Sequence, residues 1–188
     1  MRVVGGRHRG RRLGAPAGAW LRPTSERARE ALFDILSHQD YGRRRLEGAK
    51  VLDLFAGTGA LGLEALSRGA ERLVAIEKDP GVLRYLRANA HALGEDERAE
   101  IIPGDATHLP AAPEPFDYVF LDAPYGSGLS GAALASLAEK NWLAEGAVVT
   151  VELAAREEFD APAGFTLLDE RRYGRTRFAI LRYDAGKA

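Results

Sequence analysis

Cysteine is absent from the 188-residue sequence. Its absence excludes disulfide bonds and cysteine-ligated metal sites and suits the reducing cytoplasm, where we expect the protein to reside. The sequence contains no run of about eighteen apolar residues, and the charged N-terminus has no apolar signal-peptide core, so we expect no contact with a membrane. The four histidines show no metal-ligand spacing. We therefore predict that catalysis uses no metal.

The charge of the chain is unevenly distributed, although the net charge is −1. The first fifty residues carry 12 Lys and Arg against 5 Asp and Glu, a net +7, and the remainder carries 14 against 22, a net −8. A basic head is typical of a segment that contacts a polyanion. A solvated, disordered tail explains the same charge equally well, so charge alone leaves both readings open.

Hydrophobic periodicity predicts one α/β domain in which strands and helices alternate. The predicted strands are residues 51–55, 73–76, 99–102, 116–121, 148–153, 165–170 and 177–183. The predicted helices are residues 24–37, 60–69, 80–94 and 129–143. Short strands are also possible at Val3-Val4 and Leu13. We expect a Rossmann-like, mostly parallel, seven-stranded sheet with an antiparallel C-terminal hairpin, behind a basic N-terminal extension over residues 1–48, with the main domain over 49–188.

A glycine loop follows the first predicted strand. Gly57 and Gly59 permit a tight turn in which backbone N–H groups face a ligand, and Gly62 permits close packing of helix on strand. The same spacing occurs in dinucleotide-binding proteins, so it predicts a nucleotide-type cofactor without naming it.

Acidic residues around this loop favour one cofactor. Asp53 would repel a pyrophosphate but attract the ammonium and sulfonium of S-adenosyl-L-methionine. Glu77, about twenty residues past the glycines, suits a ribose diol in either cofactor. Asp105 suits the adenine amino group, although alone it reads more simply as a turn residue. The predicted cofactor-binding residues in this region are Asp53, Phe55, Gly57, Gly59, Glu77, Lys78, Asp105 and Ala106.

A second loop, here called the amine loop, follows the fourth predicted strand and comprises Asp122, Ala123, Pro124 and Tyr125. An exocyclic amine on a nucleobase is a poor nucleophile, because its lone pair is delocalised into the ring. Hydrogen bonds from the amine to the Asp122 carboxylate and the Ala123 carbonyl would localise that lone pair towards an electrophilic methyl group. Pro124 stiffens the loop, and Tyr125 offers a ring on which an extruded base can stack. We predict these four as the catalytic residues.

The two loops together resemble those of amino-methyltransferases, whose fourth-strand motif is Asp/Asn/Ser-Pro-Pro-aromatic. More narrowly, the chain resembles the RsmD-type bacterial 16S ribosomal RNA guanine-N2 methyltransferases. The matching stretches are residues 2–6, 9–11, 22–24, 27–33, 55–70 and 173–176. The family usually has two prolines where this chain has Ala123-Pro124. Alanine keeps the carbonyl acceptor but loosens the loop.

The resemblance implies methyl transfer to N2 of guanine 966 of 16S ribosomal RNA on a small-subunit particle. We expect the protein to act as a monomer. It also implies that Arg22 and Thr24 line the entrance for the cofactor or target base. We predict RNA contacts from Arg2, Arg7, Arg9, Arg11, Arg12 and Arg22. Arg27 and Arg29 are predicted on the exposed face of their helix, and both tryptophans in packing. For the arginines at 171, 172, 175 and 177, an RNA contact and protection of a sheet edge are equally good readings.

Three alternatives stay open. A methyltransferase could act instead on an adenine N6 amine in DNA or a glutamine amide in protein, because the amine loop alone does not separate these substrates. An RNA-binding assembly factor could retain a vestigial cofactor pocket. An NAD oxidoreductase is the remote alternative, since little chain remains beyond the sheet for a hydride-acceptor site.

Overall fold

The computed structural model describes residues 1–16, 24–39, 41 and 45–186. Its α-helices are α1 (Glu26–His38), α2 (Ala60–Ser67), α3 (Pro80–Leu93) and α4 (Leu129–Glu139). Its strands are β1 (Lys50–Leu54), β2 (Arg72–Glu77), β3 (Ala99–Pro103), β4 (Phe116–Leu121), β5 (Leu143–Ala154), β6 (Phe165–Tyr173) and β7 (Thr176–Tyr183). Among the described residues, no helix has both the length and the apolar character needed to cross a membrane.

All seven strands form one sheet in the order β3-β2-β1-β4-β5-β7-β6. Strands β1 to β5 are parallel, and β7 runs antiparallel to both β5 and β6. The strand order reverses between β1 and β4, which are neighbours although two strands and two helices separate them in sequence. In such sheets a crevice opens beyond the carboxyl ends of the strands at this point. The fold therefore positions a site between β1 and β4.

The sheet is covered on both faces, which gives the molecule three layers. One core contains side chains from α1, α2 and α3, including Leu32, Leu66 and Leu86. The other contains α4 residues such as Leu134, together with Trp142, which stacks on Phe116 at 5.6 Å between ring centroids. Packing is thus the role of Trp142, as predicted, whereas Trp20 lies outside the described residues.

Local signals explain the element boundaries that were predicted correctly. At the start of α3, the Asp79 carboxylate accepts hydrogen bonds from the backbone N–H groups of Gly81 and Val82 at 2.7 and 3.0 Å, and Pro80 occupies the first helical position. The helix ends at Gly94, whose φ of 71° is left-handed. Each of these residue types has a strong positional preference, so the sequence predicts the helix well.

Helix α4 was predicted to run to residue 143, which is wrong. It ends at Glu139, and Asn141 takes a left-handed φ of 60° that turns the chain into β5. Strand β5 begins at Leu143, five residues before the predicted start, and its pairing with β4 shifts register between Phe116 and Tyr118. The irregular pairing interrupts the period-2 pattern, which hides the start of the strand from sequence analysis.

The N-terminal segment, residues 1–16, lies against the body of the protein. The predicted short strands reduce to one antiparallel bridge between Arg2 and Arg12, and residues between them form a short 3₁₀ turn. The Val3 and Leu13 side chains are buried in the same core as α1 and α2. Gly6 lies so close to α2 that a Cβ atom would stand 1.9 Å from the Ser67 carbonyl oxygen. Glycine is therefore required where this segment meets the body.

Candidate active site

A cavity of about 410 Å³ opens at the carboxyl ends of β1, β2 and β4, at the point where the strand order reverses. This volume is in the range of small-molecule sites. Eleven of the thirteen predicted cofactor-binding and catalytic residues line it: Thr24, Asp53, Phe55, Gly57, Glu77, Lys78, Ala106, Asp122, Ala123, Pro124 and Tyr125. The two loops singled out in the sequence therefore share one cavity. Gly59 and Asp105 are not among its lining residues.

Two backbone N–H groups of the glycine loop, which the sequence predicts to face a ligand, are hydrogen-bonded within the protein. The Gly57 N–H donates to Oε2 of Glu77 at 2.9 Å, and the Gly59 N–H donates to the Ala56 carbonyl at 2.8 Å. Phe55, which is not a glycine, has a φ of 57°. Such left-handed backbone is uncommon for a bulky residue and is concentrated at functional sites. Because these two N–H groups are already bonded, they are not free to cradle a pyrophosphate.

Two glycines of this loop serve packing. A Cβ on Gly59 would stand 2.5 Å from the Leu86 side chain of α3, and a Cβ on Gly62 would stand 2.6 Å from that of Leu73 on β2. Gly62 thus permits close packing of helix on strand, which confirms that prediction. Gly59 permits close packing of the loop on α3, and it faces that helix and not the cavity.

Asp53 is a buried acid in the cavity wall. It is 1% exposed, and its Oδ2 accepts a hydrogen bond from the Gly62 N–H at 2.8 Å. Burial raises the pKa of Asp53 to about 8, the Gly62 bond opposes that rise, and the charge of Glu77 adds to it. A cation in the cavity would favour the ionised carboxylate. The arrangement therefore suits a positively charged ligand.

Glu77 is held in a fixed orientation at the end of β2. Its Oε2 accepts from Gly57, and its Oε1 accepts from the backbone N–H of Asp79 at 2.8 Å. A carboxylate has about four acceptor positions, so each oxygen retains one for a hydroxyl donor. Glu77 can therefore both brace the glycine loop and bind a diol.

Asp105 is placed differently from the other predicted cofactor residues. Its Oδ1 accepts hydrogen bonds from the backbone N–H and the hydroxyl of Thr107 at 2.9 and 2.7 Å. These bonds lower the pKa of Asp105. The flanking Gly104 and Ala106 line the cavity, whereas the Asp105 side chain braces a turn. In the structure Asp105 is therefore a turn residue, and its contact with adenine stays a prediction.

The amine loop begins directly beyond β4. The Asp122 N–H approaches the Leu54 carbonyl of β1 at 3.4 Å, which holds the start of the loop beside the glycine loop. Burial, with the charges of Glu152 and Asp53, raises the pKa of Asp122 well above its ordinary value. The Pro124 carbonyl accepts from the Ser127 hydroxyl at 2.5 Å, whereas the Ala123 carbonyl accepts no hydrogen bond from the part of the chain that the structure describes.

Glu152 is a further residue of this region that the sequence analysis missed. It lies on β5 and is 2% exposed, and its Oε1 accepts a hydrogen bond from the Tyr125 hydroxyl at 2.7 Å. Its Oε2 accepts from the hydroxyl of Thr24. The available signal was an acidic residue inside the apolar run over residues 148–153. Met1 and Thr58 also line the cavity without having been predicted.

Three of the arginines predicted to bind RNA have partners within the protein. Arg2 pairs with Glu26 of α1 at 3.0 Å, Arg7 bonds Glu95 just beyond α3 at 3.1 Å, and Arg11 donates to the Ala92 carbonyl of α3. Arg9 and Arg12 are exposed, and neither side chain has a hydrogen-bond or ion-pair partner within the described ranges. Arg22 lies outside the described residues. Arg9 and Arg12 are therefore the members of the predicted set best placed to contact a polyanion.

The prediction for the two helix arginines was half wrong. Arg27 is exposed, as predicted, but Arg29 is completely buried. The Arg29 guanidinium donates to the Arg2 carbonyl and pairs with the Glu64 carboxylate of α2 at 3.7 Å. Helical periodicity placed Arg29 towards solvent because it takes no account of the N-terminal segment, which covers that side of α1. Arg29 thus joins this segment to α1 and α2.

The arginines of the C-terminal hairpin mostly have local partners. Arg171 pairs with Asp169 at 2.9 Å, Arg177 pairs with Glu170 at 2.7 Å, and Arg172 donates to the Ala155 carbonyl at 2.6 Å. These contacts brace β6, the edge strand. Within the described ranges, no group of three or more histidine and acidic side chains could hold a metal ion.

Comparison with known proteins identifies the family. A family model described as "Conserved hypothetical protein 95" matches residues 1–182. The chain belongs to this family. It is 35% identical over 178 residues to "Ribosomal RNA small subunit methyltransferase D" of Haemophilus influenzae, covering 93% of this chain and 89% of that protein. It is 34% identical over 186 residues to the protein of the same name in Escherichia coli K12, covering 98% and 91%. The RsmD-type resemblance is thereby confirmed.

Solved structures place the fold in the same group. The structure of yhhF from Escherichia coli is 34% identical, covers 98% of each chain and superposes with a TM-score of 0.83. An RNA methyltransferase from Salinibacter ruber, solved with S-adenosyl-L-homocysteine, superposes with a TM-score of 0.66 at 17% identity. The match covers 87% of this chain and 94% of the other, and it supports the fold alone. The predicted fold, a Rossmann-like class I methyltransferase sheet with an antiparallel C-terminal hairpin, is confirmed.

Proposed function

We propose that this protein transfers a methyl group from S-adenosyl-L-methionine to the exocyclic N2 amine of a guanine in 16S ribosomal RNA, at position 966. The observation that carries the proposal is the single cavity shared by Asp53 and Glu77 of the cofactor side and by Asp122 of the amine loop. The names of the relatives, which are ribosomal RNA small subunit methyltransferases at 34–35% identity, support the substrate class.

The residues of the cavity fit this cofactor better than a dinucleotide. S-Adenosyl-L-methionine supplies an electrophilic methyl group on a sulfonium and carries an ammonium group at its amino-acid end. The buried Asp53 carboxylate would attract the ammonium group, and the Glu77 carboxylate would accept hydrogen bonds from the ribose hydroxyls. Phe55, Lys78 and Ala106 line the same cavity and would complete the wall around the cofactor. The N–H groups of Gly57 and Gly59, which would be needed for a pyrophosphate, are bonded within the loop.

On the substrate side, the amine loop prepares the nucleophile. The Asp122 carboxylate and the Ala123 carbonyl each accept an N–H of the guanine amine, which turns the nitrogen lone pair towards the methyl group. The nitrogen would attack the methyl group in line while the methyl–sulfur bond breaks, and the bonding electron pair would stay on the sulfur of the departing S-adenosyl-L-homocysteine. The protein supplies orientation and electrostatics without a covalent nucleophile. After transfer the nitrogen carries an extra proton, and Asp122, whose pKa is raised, accepts it at its carboxylate. The Tyr125 ring stacks on the extruded base.

RNA binding is assigned to the N-terminal extension over residues 1–48, and chemistry to the methyltransferase domain over residues 49–188. Arg9 and Arg12 lead the phosphate contacts, because their guanidinium groups are exposed and not engaged by the described protein. Arg2, Arg7 and Arg11 contribute positive charge from positions fixed by their own partners. The substrate is a small-subunit particle in the cytoplasm, and the enzyme acts as a monomer.

The decisive test uses small ribosomal subunits that lack the modification. The purified protein is incubated with them and with labelled S-adenosyl-L-methionine, and the RNA is digested with nuclease and analysed by mass. We expect one labelled N2-methylguanine at position 966. Label in protein or DNA but not in RNA would refute the proposal, and label on another RNA position or base would refute the assigned site. Asp122→Ala is the control for contaminating activity.

A further inference from the structure

Glu152 is an acidic side chain buried next to Asp122. The neighbouring strands β4 and β5 pair Leu121 with Val151, so Asp122 and Glu152 occupy the next position along the two strands. The charge of Glu152 helps to raise the pKa of Asp122, which agrees with the two side chains lying close together. Two acids therefore lie side by side at the floor of the amine loop, although the proposed chemistry uses only one.

Three hydroxyl groups from three separate segments converge on the Glu152 carboxylate. Thr24 precedes α1, Tyr125 ends the amine loop, and Thr176 begins β7. The first two donate to its Oε2 and Oε1 oxygens, and the Thr176 hydroxyl, which lies 3.2 Å from the Tyr125 hydroxyl, helps to lower the pKa of Glu152. An ionised carboxylate is acceptor-only, so it is well matched to a set of O–H donors. Through Glu152, the two ends of the chain are joined to the amine loop.

Stability alone does not account for a carboxylate in this position. Burial raises the pKa of Glu152, which shows that its charged form is disfavoured there, and its hydrogen bonds only partly oppose the effect. Arg29 lowers that pKa through its charge, but its own hydrogen bond and ion pair are with Arg2 and Glu64. Replacing buried charge with apolar groups is often neutral or stabilising. The placement of Glu152 therefore points to a role in orientation.

We propose that Glu152 is a positioning residue that sets the orientation of the Tyr125 ring against the target base through the Tyr125 hydroxyl. Tyr125 as a residue is 39% exposed, so packing alone holds its ring loosely. The bond to Glu152 fixes the end of the side chain that lies furthest from the backbone. This inference rests on the proposed function, because the base is the group that the ring positions.

The test separates the hydroxyl from the ring. Tyr125→Phe keeps the stacking surface and removes the bond, whereas Glu152→Gln keeps the size of the side chain and removes one of its two acceptor oxygens. We expect each variant to lower the single-turnover rate of RNA methylation on the order of tenfold to a hundredfold, as expected for a displaced reacting group. Dissociation constants for S-adenosyl-L-methionine and for the RNA particle should stay at wild-type values.

A double variant shows whether the two residues act together. If the bond is the cause, Tyr125→Phe with Glu152→Gln should be no slower than the slower single variant, because the same interaction is lost only once. Thr166→Val is the matched control, since it removes a hydroxyl bonded to the Asp184 carboxylate at 2.6 Å, away from the cavity. The control should methylate at the wild-type rate.

Each other outcome counts against the inference. Wild-type rates in both single variants, or multiplicative losses in the double variant, would overturn it. So would a Glu152→Gln protein that loses thermal stability and cofactor affinity while Tyr125→Phe is fully active, because Glu152 would then be structural. If Glu152→Gln does not fold, the rate of Tyr125→Phe decides alone. Failure of the wild-type protein to methylate ribosomal RNA would instead refute the proposed function, and the inference with it.

Discussion

The backbone N–H of Gly57 donates a hydrogen bond to the carboxylate of Glu77, at 2.9 Å. The bond joins the glycine loop to the end of the neighbouring strand β2, and the second Glu77 oxygen accepts the Asp79 N–H at the start of α3. One side chain thus fixes both loops that border the cofactor half of the cavity. It also removes from the loop an N–H group that a pyrophosphate would require.

Glu77→Gln should accordingly affect both the loop and the cofactor. The amide retains one acceptor oxygen, so one of the two backbone N–H groups loses its partner, at a cost of about 1–3 kcal/mol. We expect weaker binding of S-adenosyl-L-methionine, measured by calorimetry, and a lower midpoint of denaturant unfolding. Glu139→Gln, at the exposed end of α4, is the control and should change neither. Unchanged cofactor affinity in Glu77→Gln would contradict the diol assignment.

Asp53 predicts a pH dependence of cofactor binding. The pKa of the buried carboxyl is raised to about 8, so most of it is protonated at pH 6, and a cationic ligand binds best to the ionised form. Affinity for S-adenosyl-L-methionine should therefore increase as the pH rises from 6 towards 8, with release of a proton on binding.

Calorimetry in buffers of different ionisation enthalpy measures the released proton directly. Asp53→Asn should bind the cofactor more weakly at pH 8 and should lose much of the pH dependence. The same raised pKa predicts that Asp53 destabilises the fold as the pH rises from about 4 to 8, since the unfolded carboxyl ionises more readily. A wild-type affinity independent of pH over this interval would contradict the role of Asp53.

Asp122→Ala should separate chemistry from binding. The carboxylate is proposed to accept the amine proton and not to hold the cofactor, so turnover should fall by at least about a hundredfold, the scale of general acid–base and electrostatic contributions. Affinity for S-adenosyl-L-methionine should stay within a few-fold of wild type. Single-turnover rates and calorimetry on the same preparation test both statements. Equal losses of cofactor affinity in Asp122→Ala and Asp53→Asn would undo this division of roles.

The sequence was a good guide where a single residue type reports on local geometry. Asp79, Pro80 and Gly94 mark the two ends of α3 because capping and turn preferences depend on a few neighbouring residues. The apolar runs likewise predicted the parallel strands, and the predicted acids Asp53, Glu77 and Asp122, at or just beyond the ends of three of them, all line the cavity. Parallel strands bring their carboxyl ends to one edge of the sheet, so the convergence of the two loops followed from the fold class.

The features that were missed depend on contacts between distant parts of the chain. Arg29 was assigned to the surface because its burial is caused by the N-terminal segment, 27 residues away in sequence. Glu152 gained its role only when β5 was placed beside β4 and the hydroxyls of Thr24 and Thr176 converged on it. The direction of the Gly57 N–H depended on where Glu77 lies. None of these relationships has a local sequence pattern.

Gly59→Ala tests whether the glycine loop is required for packing. Gly59 has a φ of 86°, and an added Cβ would stand 2.5 Å from the Leu86 side chain and 2.9 Å from that of Leu63. We expect a loss of about 2–4 kcal/mol in the free energy of unfolding, from left-handed strain and overpacking together. Gly94→Ala is the matched control, because its φ is 71° but a Cβ would meet nothing within 4 Å. It should lose only about 1–2 kcal/mol. Equal losses would show that crowding against α3 contributes nothing.

The N-terminal arginines should divide into two groups by what they contact. The Arg9 and Arg12 side chains are exposed and have no partner in the described part of the protein. The double variant Arg9→Ala with Arg12→Ala should therefore bind RNA more weakly. The slope of log Kd against log salt concentration should fall by roughly one unit per lost phosphate contact. Arg7→Ala removes a partner of Glu95, a carboxylate that is 1% exposed, so its main effect should be on the unfolding midpoint. Filter binding over a salt series and denaturant unfolding of both proteins measure the division. The division into two groups would be wrong if Arg7→Ala reduced the salt slope as much as the double variant and kept the wild-type unfolding midpoint. Arg7 would then contact RNA despite its bond to Glu95.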